Sequence, residues 1–520
     1  ERLTYFHDLL PTYNLEGSRS RYQVLLTGHV PAEMHDHWDW GLPTKMSPKP
    51  EELSPYTHFL SDVFDIKRNE DNIKIIPYLG ESRERLFDLH HLKVLIKQGF
   101  RVTEVHGIWV CTAQPFMREW VQENARRRAL CTSESKRNLI KLCMSSIYGK
   151  MLQNKRKMRN STIHCNVQKF ETACSRFGAE DFNIINITDK EFLGTVSNIK
   201  TDGVVLDTHR LIGFTILEDS KAMMMTLHYD QMKHLWPDAK LLFTDTDSAM
   251  YKVWSIDVVA DMLRANAEGR FPVAFDLCKL AEKLLEDVIA RAKPSESSER
   301  AVRTAAKQKV SAEALLEMLR AGMSKEDDGI LQNSDAFLRM LTEYDERNAR
   351  QGELGAVKEE VLPLFISAFA GCQPKVYAYK AQDLLDPEAV EKQKKIGKGI
   401  VRKVLASLVF ETYLDAVQKP GELYELWKTS DEDERVRLLD KAGKKQAMQR
   451  LKNHPEELSV EDKEELMKFL HIVGWTAITS KKHCVTVSEM LKKGVEAYND
   501  KVYALDSTAS RPLGHWRNSV

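Results

Sequence analysis

The chain has 520 residues, the length of three or four domains at roughly 150 residues each. Hydrophobic residues make up 42% and charged residues 29%, enough apolar material for a buried core. Lys+Arg and Asp+Glu both count 76, which excludes a wholly basic nucleic-acid coat and an acidic disordered tail but leaves room for a local basic face.

In chain order, Tyr22–Leu26 reads as a strand from its β-branched and aliphatic content. The proline-rich stretch 40–56 reads as a loop between extended segments. His35-Asp36-His37 is a possible metal pair, weighed against a polar loop beside Trp38 and Trp40. Arg101–Val105 reads as a second strand. Pro115 suits the first turn of a helix over 115–130, and a second helix follows over 134–154. Residues 160–215 are mixed, a helix over 216–235 stops before Pro237, and Lys240–Thr244 and Ala249–Val253 are two strands around a polar turn. From about 278 to 350 the composition turns to Ala, Leu, Glu and Lys, with 293–298 as an exposed linker, and reads as a solvated helical insertion. Residues 420–470 are similar, with a helix start at 459–462. The eight cysteines form no CxxC, so reduced thiols in an intracellular compartment are expected. No apolar run approaches the roughly 18 residues of a spanning helix, so no membrane partner is expected.

Two segments carry chemistry. In Phe243-Thr244-Asp245-Thr246-Asp247-Ser248, two carboxylates two residues apart at a hairpin tip can point to one side. Like charges held close call for a cation, and a hard divalent ion such as Mg²⁺ suits oxygen ligands. The competing reading is a solvated turn, since Asp and Thr are ordinary turn residues. The second segment is the helix pair: residues 115–160 hold 12 Lys/Arg against 3 Asp/Glu, a net of +9. A solvated helix would intersperse acids; a triphosphate or nucleic-acid backbone is the natural partner of such an excess. Lys141, Ser145 and Tyr148 share one helix face and offer a cation, a hydroxyl and a ring.

Lys141-Leu142-Cys143-Met144-Ser145-Ser146-Ile147-Tyr148-Gly149 resembles the fingers motif K-x3-N-S-x-Y-G of family B DNA polymerases, and Asp245-Thr246-Asp247-Ser248 is identical to their palm motif D-T-D-S. Lys375-Val376-Tyr377 resembles the K-x-Y motif that follows. Gly213–Lys221, His228-Tyr229-Asp230, Ser480–His483, Tyr498–Tyr503 and Gly514-His515-Trp516 resemble the protein-primed branch of viruses, organellar plasmids and Polinton (Maverick) transposons, the Polinton type most of all. The resemblance covers most of 22–277 and 351–517.

What the resemblance implies is an α+β right-hand polymerase with palm, fingers and thumb, an antiparallel palm sheet and helical insertions. The divisions are 1–114 (partial palm and inserted region), 115–160 (fingers), 161–277 (palm with the D-T-D-S hairpin), 278–350 (helical insertion), 351–404 (palm end with K-x-Y) and 405–520 (thumb and C-terminal region). The implied activity is template-directed transfer of dNMP from dNTP to a primer 3′-OH, with two Mg²⁺ (or Mn²⁺) ions. Asp247 would bind both metals and Asp245 would support it. Lys141, with Arg127 or Arg128, would contact the incoming triphosphate, Ser145 stands where the family has Asn, and Tyr148 and Gly149 would pack under the nascent base pair. Lys375 and Tyr377 would hold the primer strand; Lys398 and Lys403, within Gly397–Ile400 and Arg402-Lys403, would touch DNA backbone. Implied partners are primer–template DNA, dNTP and a terminal protein, in the nucleus if the chain is a transposon copy.

The first palm motif, an Asp followed by S-L-Y-P or N-L-Y, does not occur in the chain. Leu10-Pro11 resembles the Leu-Pro that follows it, which puts the Asp just before Glu1; Asp8 has no flanking support as a substitute. The expectation is the C-terminal part of a polymerase or a decayed copy, binding DNA but extending primers very slowly or not at all. The alternative is a non-catalytic DNA-binding remnant.

Overall fold

A computed structural model of the chain describes residues 1–268, 275–276, 357–441, 459, 461 and 472–519, with breaks at 16–17, 65, 67–70, 132, 158–159, 187–191, 199–204, 257, 359, 362–363, 384–387, 389, 401, 482–483 and 494. The helical insertion expected at 278–350, with its linker 293–298, lies outside the described residues, as does most of 442–471. Of the helix start expected at 459–462, Glu461 is described as helical.

Helix α1 (Arg2–Thr12) leads into strand β1 (Ser20–His29). Then come β2 (Leu42–Met46), α2 (Pro55–Val63), β3 (Lys74–Tyr78), β4 (Ser82–Asp88), α3 (Leu89–Lys97) and β5 (Arg101–Thr112). β1 is the middle strand of an antiparallel sheet in the order β4-β1-β5. Val24 and Leu26, two apart and therefore on one face, are fully buried with Phe87 of β4. α3 starts where Asp88 accepts a hydrogen bond from the His90 N–H at 3.0 Å, and it buries Leu89, Leu92 and Leu95 at helical spacing.

The stretch read as a loop over 40–56 is partly ordered structure. Pro43 lies in β2 opposite Pro77 of β3, in a two-stranded ladder where each strand is an edge and a missing N–H costs little. Pro55 occupies the first turn of α2 behind the cap Ser54, whose Oγ accepts from the Thr57 N–H at 3.0 Å. Prolines here start elements instead of separating them.

The next elements are α4 (Arg118–Leu130), α5 (Glu134–Met151), β6 (Asn160–His164), α6 (Val167–Cys174), β7 (Ala179–Asn186) and β8 (Phe192–Asn198). The three strands form a sheet in the order β6-β8-β7. The helix expected at 216–235 begins earlier, as α7 (Arg210–Met225), passes through a π-helical stretch Thr226–Met232 and ends as α8 (Lys233–Leu235). Then follow the hairpin β9 (Lys240–Asp245) and β10 (Ser248–Lys252), α9 (Val258–Glu268), β11 (Phe275–Asp276) and its parallel partner β12 (Val357–Lys358). β13 (Leu364–Gln373), β14 (Val376–Asp383) and β15 (Lys392–Gly397) form a third three-stranded sheet. The chain continues through α10 (Arg402–Ser407), α11 (Phe410–Thr429), α12 (Glu432–Lys441), the hairpin β16 (Ile472–Lys481) and β17 (Cys484–Lys493), and the short pair β18 (Tyr503–Ala504) and β19 (Ser510–Arg511). The fold is therefore mixed helix and small, mostly antiparallel sheets.

Two compact units divide these elements: Glu1–Ala222 with Gly397–Leu408 and Asp415–Val520, and Met223–Ile396 with Val409–Leu414. In the first, Tyr56 and Phe59 of α2 pack against Tyr424 of α11 in a buried aromatic cluster. The C-terminal segment closes onto the β3 end: the Leu79 N–H donates to the Leu513 carbonyl at 2.8 Å, and Gly514, at φ 76°, would place a Cβ 2.6 Å from the Gly80 nitrogen. This clasp also settles His35 as a structural residue. Its Nδ1 accepts from the Trp516 N–H at 3.0 Å and its Nε2 meets the Val30 carbonyl at 2.9 Å, while Asp36 takes Arg517 at 2.8 Å. Both ring nitrogens are committed to backbone, so the metal-pair reading is replaced by a packing one.

Candidate active site

The site is built from two hairpin tips in the second unit. β9 and β10 pair Asp245 with Ser248 and Thr244 with Ala249. The Asp247 N–H donates to the Asp245 carbonyl at 2.7 Å, closing a three-residue γ-turn over Thr246 at φ 62°. A β-branched residue at positive φ is strained, by of order 1–3 kcal/mol. The Ser248 hydroxyl donates to the same carbonyl at 3.3 Å, and the Thr246 hydroxyl to Asp245 Oδ1 at 3.3 Å. Asp245 is half-buried and Asp247 exposed.

The second tip is Pro374-Lys375, between β13 and β14, with Gln373 paired to Val376 and Lys375 at φ 65°. Lys375 Nζ stands 3.0 Å from Asp245 Oδ2, and the Tyr377 ring lies 4.6 Å from that of Phe243. Phe243 and Asp245 are two apart on β9 and share a side; Tyr377 lies on β14 and Lys375 in the turn just before it. One ring contact and one ion pair join the two tips. Phe369 of β13 backs Tyr377 at 5.8 Å, and burial pushes the Tyr377 hydroxyl above its ordinary pKa.

Behind the hairpin, the buried His228 of the π-helical stretch places Nδ1 3.0 Å from the Tyr251 hydroxyl and stacks on its ring at 5.7 Å. That contact fixes β10 from its far face. A cavity of about 460 Å³ opens at the other end of the hairpin, beside Trp236, Trp254, Asp261 and Arg264, and its lining does not include the Asp245–Asp247 turn.

The finger-motif residues lie in the first unit. The expected helix pair is present as two separate helices: α4 ends at Cys131, whose backbone is extended, α5 begins at Glu134, and the two pack on each other. α5 has no buried residue, and Lys141, Ser145, Tyr148 and Gly149 are all exposed. The Ser145 hydroxyl donates back to the Leu142 carbonyl at 3.3 Å. Arg126 and Arg127 share Glu123, at 2.8 and 2.7 Å, and their hydrogen bonds pull the Glu123 carboxyl down to about 2. Arg128 and Lys141 carry no ion pair among the described residues, so of the two arginines expected to meet a triphosphate, Arg128 is the one with charge to spare. Gly213 of α7 sits against the end of α5, where an added Cβ would lie 2.5 Å from Leu152 Cγ.

Lys398 is exposed in the turn after β15, next to Gly399 at φ 84°. Lys403 lies on α10. The structure thus brings together Asp245, Lys375 and Tyr377, with Asp247 exposed two residues on in the same turn, and carries the finger-motif residues on a separate unit. Phe243, Thr246 and Glu123 are contributors that motif reading missed; the first two flank or divide the motif itself, and Glu123 was visible as a lone acid four residues before Arg127.

The donor set offers carboxylate oxygens, the chemistry a hard divalent cation takes. Among the described residues there is no group of three or more His, Cys, Asp or Glu side chains that could hold a metal ion. No described helix is long and apolar enough to cross a membrane. No family model, curated protein or solved structure matches the chain.

Proposed function

We propose that the chain is the polymerase part of a family B DNA polymerase of the protein-primed kind, which transfers dNMP from dNTP to a primer 3′-OH on a DNA template. The observation that carries this reading is the meeting of the D-T-D-S turn with the K-x-Y hairpin, two motifs far apart in sequence joined by the Lys375–Asp245 and Tyr377–Phe243 contacts.

In this reading Asp245 and Asp247 hold Mg²⁺ or Mn²⁺, which lowers the pKa of the attacking hydroxyl and neutralises charge on the leaving pyrophosphate. The chain's own residues do the rest. Lys375 presents an ammonium to a primer phosphate, and Tyr377, braced by Phe243 and Phe369, holds that lysine's strand in register. Lys141 and Arg128 attract the triphosphate, and Tyr148 and Gly149 offer a flat, open surface for a base pair; nothing lies within 4 Å of a Cβ added at Gly149. Lys398 and Lys403 add backbone contacts, and a terminal protein is the expected primer.

The second reading is a DNA-binding remnant without turnover. One experiment separates these readings and exposes a wrong family. Primer–template binding is followed by anisotropy with the correct or an incorrect next dNTP and Mg²⁺, alongside extension with labelled dNTP. A polymerase tightens selectively on the correct dNTP, and any extension vanishes in Asp247→Asn while DNA binding holds. A remnant binds DNA with no dNTP selectivity. Extension indifferent to Asp247→Asn rejects the site.

A further inference from the structure

We infer that Lys375 is a built-in competitor of the metal: its ammonium occupies Asp245 when DNA is absent, and surrenders the carboxylate when a DNA phosphate draws it away. The inference rests on the polymerase reading of the Asp245–Asp247 turn and concerns the order in which that site is loaded.

The geometry carries it. Lys375 Nζ is 3.0 Å from Asp245 Oδ2, inside the distance of a direct ion pair, so a cation bound through that oxygen and the ammonium exclude each other. The lysine is not a long surface chain that swings freely from its root. Its Cα is held at φ 65° in a two-residue hairpin tip, and the hairpin is clamped to β9 by Tyr377 on Phe243 at 4.6 Å. On the other side, the carboxylate is held by the γ-turn, whose backbone hydrogen bond is 2.7 Å long. Both partners are therefore presented to one another by tight turns. The Lys375 side chain is 45% exposed and that of Asp245 33% exposed, so solvent reaches the pair and either partner can be exchanged.

Two cations then compete for one carboxylate, Lys375 and the metal, while DNA phosphate competes with that carboxylate for the lysine. Metal binding must displace the ammonium, and DNA that recruits the ammonium removes the competitor. Linkage makes the effect reciprocal: whatever factor DNA adds to metal affinity, metal adds to DNA affinity. The device would keep Asp245 neutralised without substrate and load metal together with primer–template.

The test is Mn²⁺ binding to the full 520-residue chain without DNA, read from the free-ion signal in electron paramagnetic resonance. Asp247→Asn defines which binding belongs to the turn. Lys375→Gly suits the positive φ, and Lys375→Met is a second uncharged variant that keeps most of the side chain's length; circular dichroism identifies which of them fold. Removing an exposed ion pair and its repulsion of the incoming dication should tighten the Asp247-dependent site about three- to tenfold. A folded variant that binds Mn²⁺ no tighter than the unsubstituted chain overturns the competition while leaving the metal site standing. Absence of any Asp247-dependent Mn²⁺ binding in all variants overturns both the competition and the metal reading of the turn.

Discussion

Thr246 and Lys375 are the two residues at which local conformational preference is overridden at the site, with φ of 62° and 65°. At Thr246 the override can be measured. Glycine there would relieve about 1–2 kcal/mol of left-handed strain but add about 0.5–1 kcal/mol of unfolded-state entropy. Thr246→Gly should therefore leave stability unchanged or raise it by up to about 1.5 kcal/mol in urea titration, while loosening the turn that carries Asp247. Nucleotide incorporation should fall even though the protein is no less stable. A loss of stability well beyond 1 kcal/mol would instead mean that the Thr246 hydroxyl, 3.3 Å from Asp245 Oδ1, holds the turn together. Neither strained residue was legible in the sequence. D-T-D-S announces a polar turn, but a γ-turn and a two-residue hairpin are distinguished by tertiary contacts, here the Lys375–Asp245 pair and the Phe243–Tyr377 rings, not by composition.

Helix α7 is the element that ties the first unit's sheet to the end of α5. Glu218, buried, accepts from the His91 ring at 2.9 Å and from the Asp88 N–H at 3.2 Å, and pairs with Lys221 at 2.5 Å. Burial alone would raise its pKa; the His91 hydrogen bond and charge, then Lys221, outweigh that and bring it down to about 2. A depressed carboxyl contributes stability that is fully present above its unfolded pKa, near 4.5, and is lost as pH falls towards 2. Glu218→Gln should therefore cost about 1–3 kcal/mol at pH 7 and converge on the unsubstituted chain near pH 2, seen as a shallower acid limb in denaturation. Two glycines on neighbouring helices should respond oppositely. Gly149→Ala, in open space on exposed α5, should stabilise by about 0.5–1 kcal/mol yet weaken dNTP selectivity. Gly213→Ala, with 2.5 Å to Leu152 Cγ, should destabilise by about 1–3 kcal/mol and shift the end of α5. A scan of thermal midpoints for both variants checks the contrast. The helix pair α4–α5 was legible from its charge and proline position, and the strands at 22–26 and 101–105 from β-branched content; α1, α2, α3 and α6 were not read. β2 and the early start of α7 were not, because an edge strand tolerates proline and because α7 opens with Arg210-Leu211-Ile212-Gly213, which reads as part of the mixed segment before it.

At the scale of the whole molecule, zero net charge coexists with a net of +9 over 115–160, so in the proposed polymerase reading affinity for DNA rests on that one region and on scattered lysines such as Lys375 and Lys398. That the excess lies on exposed helices was legible; how it is spent was not, because Glu123's grip on Arg126 and Arg127 is a matter of rotamers. The distinction has a thermodynamic signature. Each phosphate neutralised by a free cation adds about −0.9 to the slope of log K against log salt on duplex DNA. Arg128 and Lys141, which carry no ion pair among the described residues, should each remove about 0.9 from the slope magnitude when changed to Ala if they meet phosphates of the duplex. Arg127 should remove less, since a cation already paired at 2.7 Å to a carboxylate releases fewer counterions when it turns to DNA. Glu123→Gln should act the other way: with Arg126 and Arg127 freed, duplex binding should tighten and the slope steepen by about 1–2. Anisotropy titrations of a primer–template duplex at four or five salt concentrations read all of these slopes. If Glu123→Gln leaves both affinity and slope unchanged, the arginines of α4 do not face nucleic acid, and the basic excess belongs to a solvated surface instead.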